Sequence, residues 1–174
     1  MPEMPAMARL VVTSAPYRMV ARRVLLPLVL RNVQPAGQGL EIGAGCGVMS
    51  AELLAAVPTL RMIATDCDPK MVHAARRTLR SFGDRVDVVR ADAAHLPFAD
   101  NRFDLVAAAA MLHHVPVWQD AVEQAVRVLR PGGRLIGYDP LDGRLTRLVH
   151  ITEVLPHRPD RFDNRTRTST APRR

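Results

Sequence analysis

Cysteine is nearly absent: Cys46 and Cys67 are the only two in 174 residues. That excludes a disulfide framework and a zinc site built on paired C-x-x-C units, and both are read as reduced thiols. Long apolar runs are missing as well. The longest, Val24 to Leu30, is seven residues with Pro27 inside it, against the roughly 20 needed to cross a bilayer, so no membrane span is expected. No apolar stretch of signal-peptide length leads to a small-residue cleavage site, and the expected location is cytoplasmic. Lysine is missing too: of 24 basic residues all but Lys70 are arginine. The net charge of +7 is uneven, because residues 157–174 hold six arginines against Asp160 and Asp163, which leaves +3 for the rest. A mildly basic body with a basic tail falls short of the clustered basic face of a nucleic-acid reader. An RNA partner recruited by the tail would show as salt-sensitive binding lost with residues 157–174.

What is present is globular: 48% apolar and 24% charged residues, in a length that suits one core. Three parts are expected: an N-terminal segment over 1–15, one domain over 16–156, and a disordered basic tail over 157–174. A helix from about Pro16 to Asn32 fits the recurrence of Val20, Val24 and Leu28, with Ser14 or Thr13 as cap and a kink at Pro27. Strands are expected at Gly39–Ile42, Leu60–Thr65, Val86–Arg90, Phe103–Ala108 and Arg134–Tyr138. Helices are expected at Met49–Val57, from Asp68-Pro69 to Gly83, and at Trp118–Leu129, with one more over Leu141–Leu155. Strands apolar on both faces that alternate with helices imply a parallel sheet covered on both sides. The fold class is α/β, doubly wound.

Ligands of such sheets bind at the carboxyl ends of the strands, where strand order reverses. The first strand runs there into Gly43-Ala44-Gly45-Cys46-Gly47. Glycine permits a sharp strand-to-helix turn and a close approach to the backbone, and the following helix offers unpaired N–H groups. A dinucleotide fingerprint would place its third glycine at position 48, which is Val48, and no lysine follows the glycines as in a phosphate-cradling loop. Asp66 ends the second strand 19 residues beyond Gly47, where an acid can accept hydrogen bonds from both hydroxyls of a ribose. Asp92, after the third strand, approaches the same crevice, where an adenine amino group could donate to it. Together they outline an adenosine; each acid could instead cap the turn that follows it, but their joint register favours function. Glu41, an acid inside an apolar strand, needs a buried partner; the loop amides or a ligand ammonium would serve.

These segments resemble class I S-adenosylmethionine-dependent methyltransferases of the small-molecule type. Leu40-Glu41-Ile42-Gly43-Ala44-Gly45-Cys46-Gly47 is similar to that family's first motif, and Ala64-Thr65-Asp66-Cys67-Asp68-Pro69 to its second. Ala91-Asp92-Ala93 through Phe98, followed by Phe103-Asp104, is similar to its third and fourth, and Val128 to Gly133 to its turn before the fifth strand. The resemblance covers roughly residues 16 to 140. It implies a Rossmann-like, mostly parallel sheet of about five strands, with S-adenosyl-L-methionine as cofactor. Gly43, Gly45 and Gly47 would border its methionine part, Asp66 hold the ribose, Cys67 lie against the adenine, and Asp92 with Ala93 contact the adenine edge. Glu41 joins this cofactor-binding set. The implied reaction is methyl transfer to a small-molecule acceptor, in which the protein aligns the acceptor and excludes water.

Where the acceptor must lose a proton, His113, beside His114 after the fourth strand, is the candidate base; the pair could also simply fill a surface. His73, His95, His150 and His157 are scattered and suggest no metal site. An Asn-Pro-Pro-Tyr type of motif is absent, the residues being Ala109-Ala110-Met111-Leu112, which disfavours base or amide nitrogen as acceptor. An acceptor pocket is expected from Tyr17, Arg18, His113, Trp118 and Asp139-Pro140. The family's terminal antiparallel hairpin of two further strands is expected to be lacking, which opens a sheet edge that a second copy of the chain could cover. The alternative function is a non-catalytic cofactor-binding or assembly subunit.

Overall fold

The computed structural model describes residues 14–31, 33–141 and 147–153; the side chains at 15, 17, 18 and 140–153 fall outside that description. The expected N-terminal segment and the basic tail over 157–174 therefore lie outside the described residues, apart from residues 14 and 15.

The strands are β1 (Gln38–Ile42), β2 (Arg61–Asp66), β3 (Val86–Arg90), β4 (Phe103–Ala109), β5 (Leu129–Leu141) and β6 (Arg147–Glu153), in the spatial order β3-β2-β1-β4-β5-β6. Strands β1 to β5 are parallel throughout. The chain moves outward from β1 through β2 to β3, then returns to the other side of β1 with β4 and β5. The order thus reverses between β1 and β4, and their carboxyl ends frame the crevice where such sheets bind ligands.

Alternate residues of the strands feed two cores. Met62, Ala64, Leu105, Ala107, Ile136 and Tyr138 pack on one face, and Leu40, Ile42, Ile63, Val106 and Leu135 on the other. The first face is covered by helices α1 (residues 15–29), α2 (Val48–Ala56) and α3 (Pro69–Leu79), the second by α4 (Trp118–Val128). Helix α1 runs through Ala15–Val20, a π turn at Ala21–Leu25, and Leu26–Val29. The expected irregularity at Pro27 takes this form: proline has no N–H to continue the ladder, and a wider turn precedes it. Asp68 caps α3 by accepting from Lys70 N at 2.7 Å, with Pro69 in the first turn. The expected stop at Gly83 falls inside a short 3₁₀ segment, Arg80–Arg85, which Gly83 interrupts at φ 60°.

Two expectations need correction. The helix expected over Leu141–Leu155 is replaced by β6, which pairs antiparallel with β5 from Leu135 opposite Glu153 to Leu141 opposite Arg147. The stretch Leu148-Val149-His150-Ile151-Thr152 is rich in β-branched residues, and an edge next to β5 was available to pair with. Among the described residues this single antiparallel strand stands beyond the five parallel ones; a two-strand hairpin beyond β5 is not seen. In addition, β5 begins at Leu129, so the Arg130 to Gly133 turn lies inside the strand as an irregularity. Phe103 is opposite Leu129 while Leu105 is opposite Arg134.

Candidate functional site at the β1–β4 switch

The loop after β1 carries three glycines with positive φ: Gly43 at 66°, Gly45 at 55° and Gly47 at 81°. Their surroundings differ. A Cβ on Gly43 would fall 2.7 Å from the Met111 side chain, and one on Gly47 3.1 Å from Leu79 in α3. A Cβ on Gly45 would meet nothing within 4 Å. Gly45 therefore turns its bare backbone toward open space.

That backbone is tied across the sheet. Gly45 N donates to Asp66 Oδ2 at 2.8 Å, and Asp68 N donates to Asp66 Oδ1 at 2.9 Å. Asp66 thus clamps the glycine loop to the end of β2. Burial pushes its carboxyl above the usual range, against the lowering effect of these backbone donors and with a further push from Asp68. A carboxylate oxygen can accept more than one hydrogen bond. Cys67, next in the chain, is half-buried, and burial with the charge of Asp66 raises its thiol pKa. Neither cysteine is in a disulfide.

Glu41 lies below the loop rather than at its surface. It is 1% exposed, and the Ser50 hydroxyl in the first turn of α2 donates to its Oε2. Burial pushes its carboxyl up to about 7, which the Ser50 side-chain and backbone bonds oppose and Asp66 assists. The buried partner is a helix hydroxyl, which the sequence reading missed; the available signal was a serine three residues past the last glycine, in the turn that must face the strand.

Asp92 is exposed. Its Oδ1 accepts from Ala94 N at 3.0 Å, and its carbonyl accepts from His95 N at 3.0 Å, so it builds a tight turn after β3. Ala93 within that turn is 5% exposed. Asp66 and Gly45 are bonded directly, and the turn of Asp92 and Ala93 stands beside them at the end of β3, where Ala91 N donates to Asp66 O at 3.0 Å.

At the end of β4 the chain turns through Ala110, a non-glycine residue at φ 51° whose N–H donates to Tyr138 O at 2.7 Å. Met111 then packs toward Gly43, and Leu112–His114 make one 3₁₀ turn. His113 Nδ1 lies 2.6 Å from Asp139 Oδ1, while Asp139 Oδ2 accepts from Leu112 N at 2.7 Å. The His114 ring centroid is 3.9 Å from that of His113. Burial and the neighbouring His113 lower the pKa of His114, against the opposing pull of Asp139 and Asp66. Of the acceptor pocket expected from the sequence, His113 and Asp139 are brought together; the side chains of Tyr17, Arg18 and Pro140 are outside the description.

A methyltransferase domain model matches residues 40–137, more than half of the chain. A ubiquinone/menaquinone biosynthesis C-methyltransferase, UbiE, of Ectopseudomonas mendocina is 37% identical over 110 residues, which are 62% of this chain and 43% of that protein. The chain thus spans less than half the length of the curated relatives it matches. Among solved structures, a Pyrococcus horikoshii protein superimposes with a TM-score of 0.69 at 26% identity, over 79% of this chain and 67% of that one. The [4+2]-cyclase SpnF superimposes at 0.65 and 26% identity, over 73% of this chain and 48% of its own.

Proposed function

We propose, from the premise that this chain belongs to the methyltransferase-domain family, the class I S-adenosylmethionine-dependent methyltransferases, that it binds S-adenosyl-L-methionine at the β1–β4 switch and methylates a small-molecule acceptor. The observation that carries the reading is the Gly45–Asp66 clamp: a left-handed glycine whose amide is held at 2.8 Å by the β2 acid while its α-carbon looks into open space. In this reading Gly43, Gly45 and Gly47 border the methionine part of the cofactor, and Glu41 supports them from beneath. Asp66 accepts from the ribose hydroxyls with its remaining lone pairs. Cys67 is the apolar wall beside the adenine, and Asp92 with Ala93 meets the adenine edge. The domain is read as running over 16–156; residues 154–174 lie outside the described residues.

When bound, S-adenosylmethionine supplies an electrophilic methyl carbon on a sulfonium centre, so the protein has little bond-making chemistry to perform. The loop fixes the cofactor, the β4 carboxyl end orients the acceptor, and enclosure between them excludes water. His113 takes a proton at Nε2 where the acceptor carries one to lose, since Nδ1 is engaged by Asp139.

The test is incubation with S-adenosylmethionine and a panel of phenols, enols, amines and thiols, read by mass spectrometry as a gain of one methyl group. Transfer to any acceptor, lost in Gly45→Arg, supports the reading; no transfer by a chain that binds the cofactor rejects it for a second one. That second reading is cofactor binding without transfer. It is favoured by the likeness to a structure titled a [4+2]-cyclase, a different chemistry on the same fold. No helix among the described residues is long and apolar enough to cross a membrane. A cytoplasmic location is the reading we carry forward for this chain. A second copy pairing along the outer edge of β6 is the partner reading, checked by light scattering.

A further inference from the structure

The positive charge of the protein is concentrated. Residues 4–40 hold five arginines and no acid, whereas residues 41–156 hold 13 basic and 14 acidic side chains. Helix α1 and the turn after it present three of those five arginines, Arg22, Arg23 and Arg31, all exposed. The inner face of α1, with Ala21, Leu25, Leu26 and Val29, is buried in the core, so folding alone holds the outer face in place. On that outer face Val20, Val24, Pro27 and Arg31 recur at intervals of four, three and four residues, the spacing of one helix face, and all are exposed. Met19 is 53%, Val20 45% and Val24 56% exposed, three of the five large apolar side chains left outside among the described residues. Arg23 Nη1 reaches Met19 Sδ at 3.8 Å, so charge and apolar surface stand side by side. Helix α4 differs: it exposes Gln119, Asp120 and Glu123.

The same helix ends at an open cavity of about 700 Å³, lined by Leu30, Arg31, Val33 and Gln34 together with Arg134 of β5. Arg134 is level with Leu105 and, through it, with Gly39 near the start of β1. The cavity therefore lies at the opposite end of the sheet from the glycine loop. Neither guanidinium has an ion-pair partner among the described residues. Two guanidiniums and an amide around one open space, with no carboxylate among the described lining residues, suit a phosphate group.

We infer that the outer face of α1 docks on an anionic lipid surface. Met19, Val20 and Val24 enter the boundary between headgroups and acyl chains, Arg22 and Arg23 meet lipid phosphates beside them, and the Arg31–Arg134 cavity takes the phosphate of one headgroup. A second copy on this face would set the arginines of two α1 helices against each other. An RNA would neutralise the arginines and leave three aliphatic side chains without a partner. A lipid surface answers both features, since it offers an apolar layer beneath negative phosphates. The helix lies on that surface and does not span it, and the docking face stands whether or not the chain transfers a methyl group.

The test is co-sedimentation of the full chain with vesicles of phosphatidylcholine alone and of phosphatidylcholine mixed with phosphatidylglycerol. The wild type is expected to bind the anionic vesicles at least about tenfold more tightly than the neutral ones, and to lose most of that margin at about 0.5 M salt. Arg22→Gln with Arg23→Gln is expected to weaken anionic binding about 25-fold, each arginine near such a surface being worth about fivefold. Met19→Gln with Val24→Gln leaves the charge unchanged and is expected to weaken binding about tenfold; if that pair does not fold by circular dichroism, Val20→Gln replaces it. Arg31→Gln with Arg134→Gln is expected to weaken it about tenfold as well. The six arginines of residues 157–174 are also drawn to anionic lipid, so every variant is measured again with all six changed to glutamine, and the same factors are expected. Equal binding to both vesicles, or binding to neither, overturns the inference. So does binding that falls with the arginines and is indifferent to Met19, Val20 and Val24, the pattern of a site for a polyanion such as RNA. Displacement by millimolar glycerol phosphate at matched ionic strength marks a soluble phosphate as the ligand, and a dimer by light scattering that Met19→Gln with Val24→Gln dissolves marks a second copy; either overturns the lipid assignment.

Discussion

Replacing Glu41 with glutamine should make this protein more stable, and only above acid pH. Glu41 is 1% exposed, and burial takes its carboxyl from an ordinary 4.5 up to about 7. A folded pKa above the unfolded one means that the native state binds the proton more tightly, so its stabilising effect is fully present below pH 4.5. As pH rises from 4.5 to 7 the unfolded chain ionises while the native one does not, and stability is lost until both have ionised. At 1.36 kcal/mol per pH unit of separation, the loss amounts to about 3 kcal/mol. Glutamine keeps the shape and an oxygen to accept from Ser50, and it does not titrate. The stability difference between Glu41→Gln and the wild type should therefore grow by about 2.5 kcal/mol between pH 5 and pH 8, a relative Tm gain of about 5 to 10 °C for a domain of this size. Urea unfolding followed by circular dichroism at four pH values measures it. A difference that stays constant across that range would refute the claim that Glu41 is buried with a raised pKa.

Other substitutions separate folding from binding. Gly45→Arg places a side chain at φ 55° with no neighbour within 4 Å, so it should cost only about 1–2 kcal/mol of backbone strain, yet abolish S-adenosylhomocysteine binding; a folded variant that still binds it argues against the loop as the site. Gly137→Ala is expected to do the reverse. Its Cβ would fall 2.0 Å from the Ala108 carbonyl oxygen in the neighbouring strand, and the β4–β5 pair must part, at a cost of about 3 kcal/mol or more. Thermal unfolding should show a Tm lower by about 6 °C or more, and an unchanged Tm would contradict the strand register.

The parallel framework was legible because its signals are local. Strand β3 occupies Val86–Arg90 as expected, β1 and β4 differ from expectation by one residue at one end, and β2 is shifted by one residue at both ends. Apolar runs between turn residues suffice to locate such strands, and Asp68-Pro69 announces α3 through its cap. Helix and strand competed on nearly equal terms over residues 147–153, where apolar spacing allows either; the free edge of β5 decided, and that edge is a tertiary fact. The same division holds at the site. Glycine spacing and Asp66 could be read in sequence, and the Gly45–Asp66 bond follows from the parallel β1–β2 register. Asp139 as partner of His113 could not, because 26 residues separate them and only the β4–β5 register, with Ala109 opposite Tyr138, brings the two strand ends together. Ser50 as partner of Glu41 depended likewise on which face of α2 meets the strand.

The most direct measurement is calorimetric titration of the purified chain with S-adenosylhomocysteine, with Asp66→Ala alongside. Asp66 both clamps Gly45 at 2.8 Å and supplies the acceptor oxygens at the end of β2. The account predicts binding in the micromolar range to the wild type, weakened at least about a hundredfold in Asp66→Ala, since a charge-assisted pair of hydrogen bonds is worth about 3 kcal/mol. A folded wild-type chain that gives no heat of binding, or an Asp66→Ala variant that binds as well as the wild type, would contradict it.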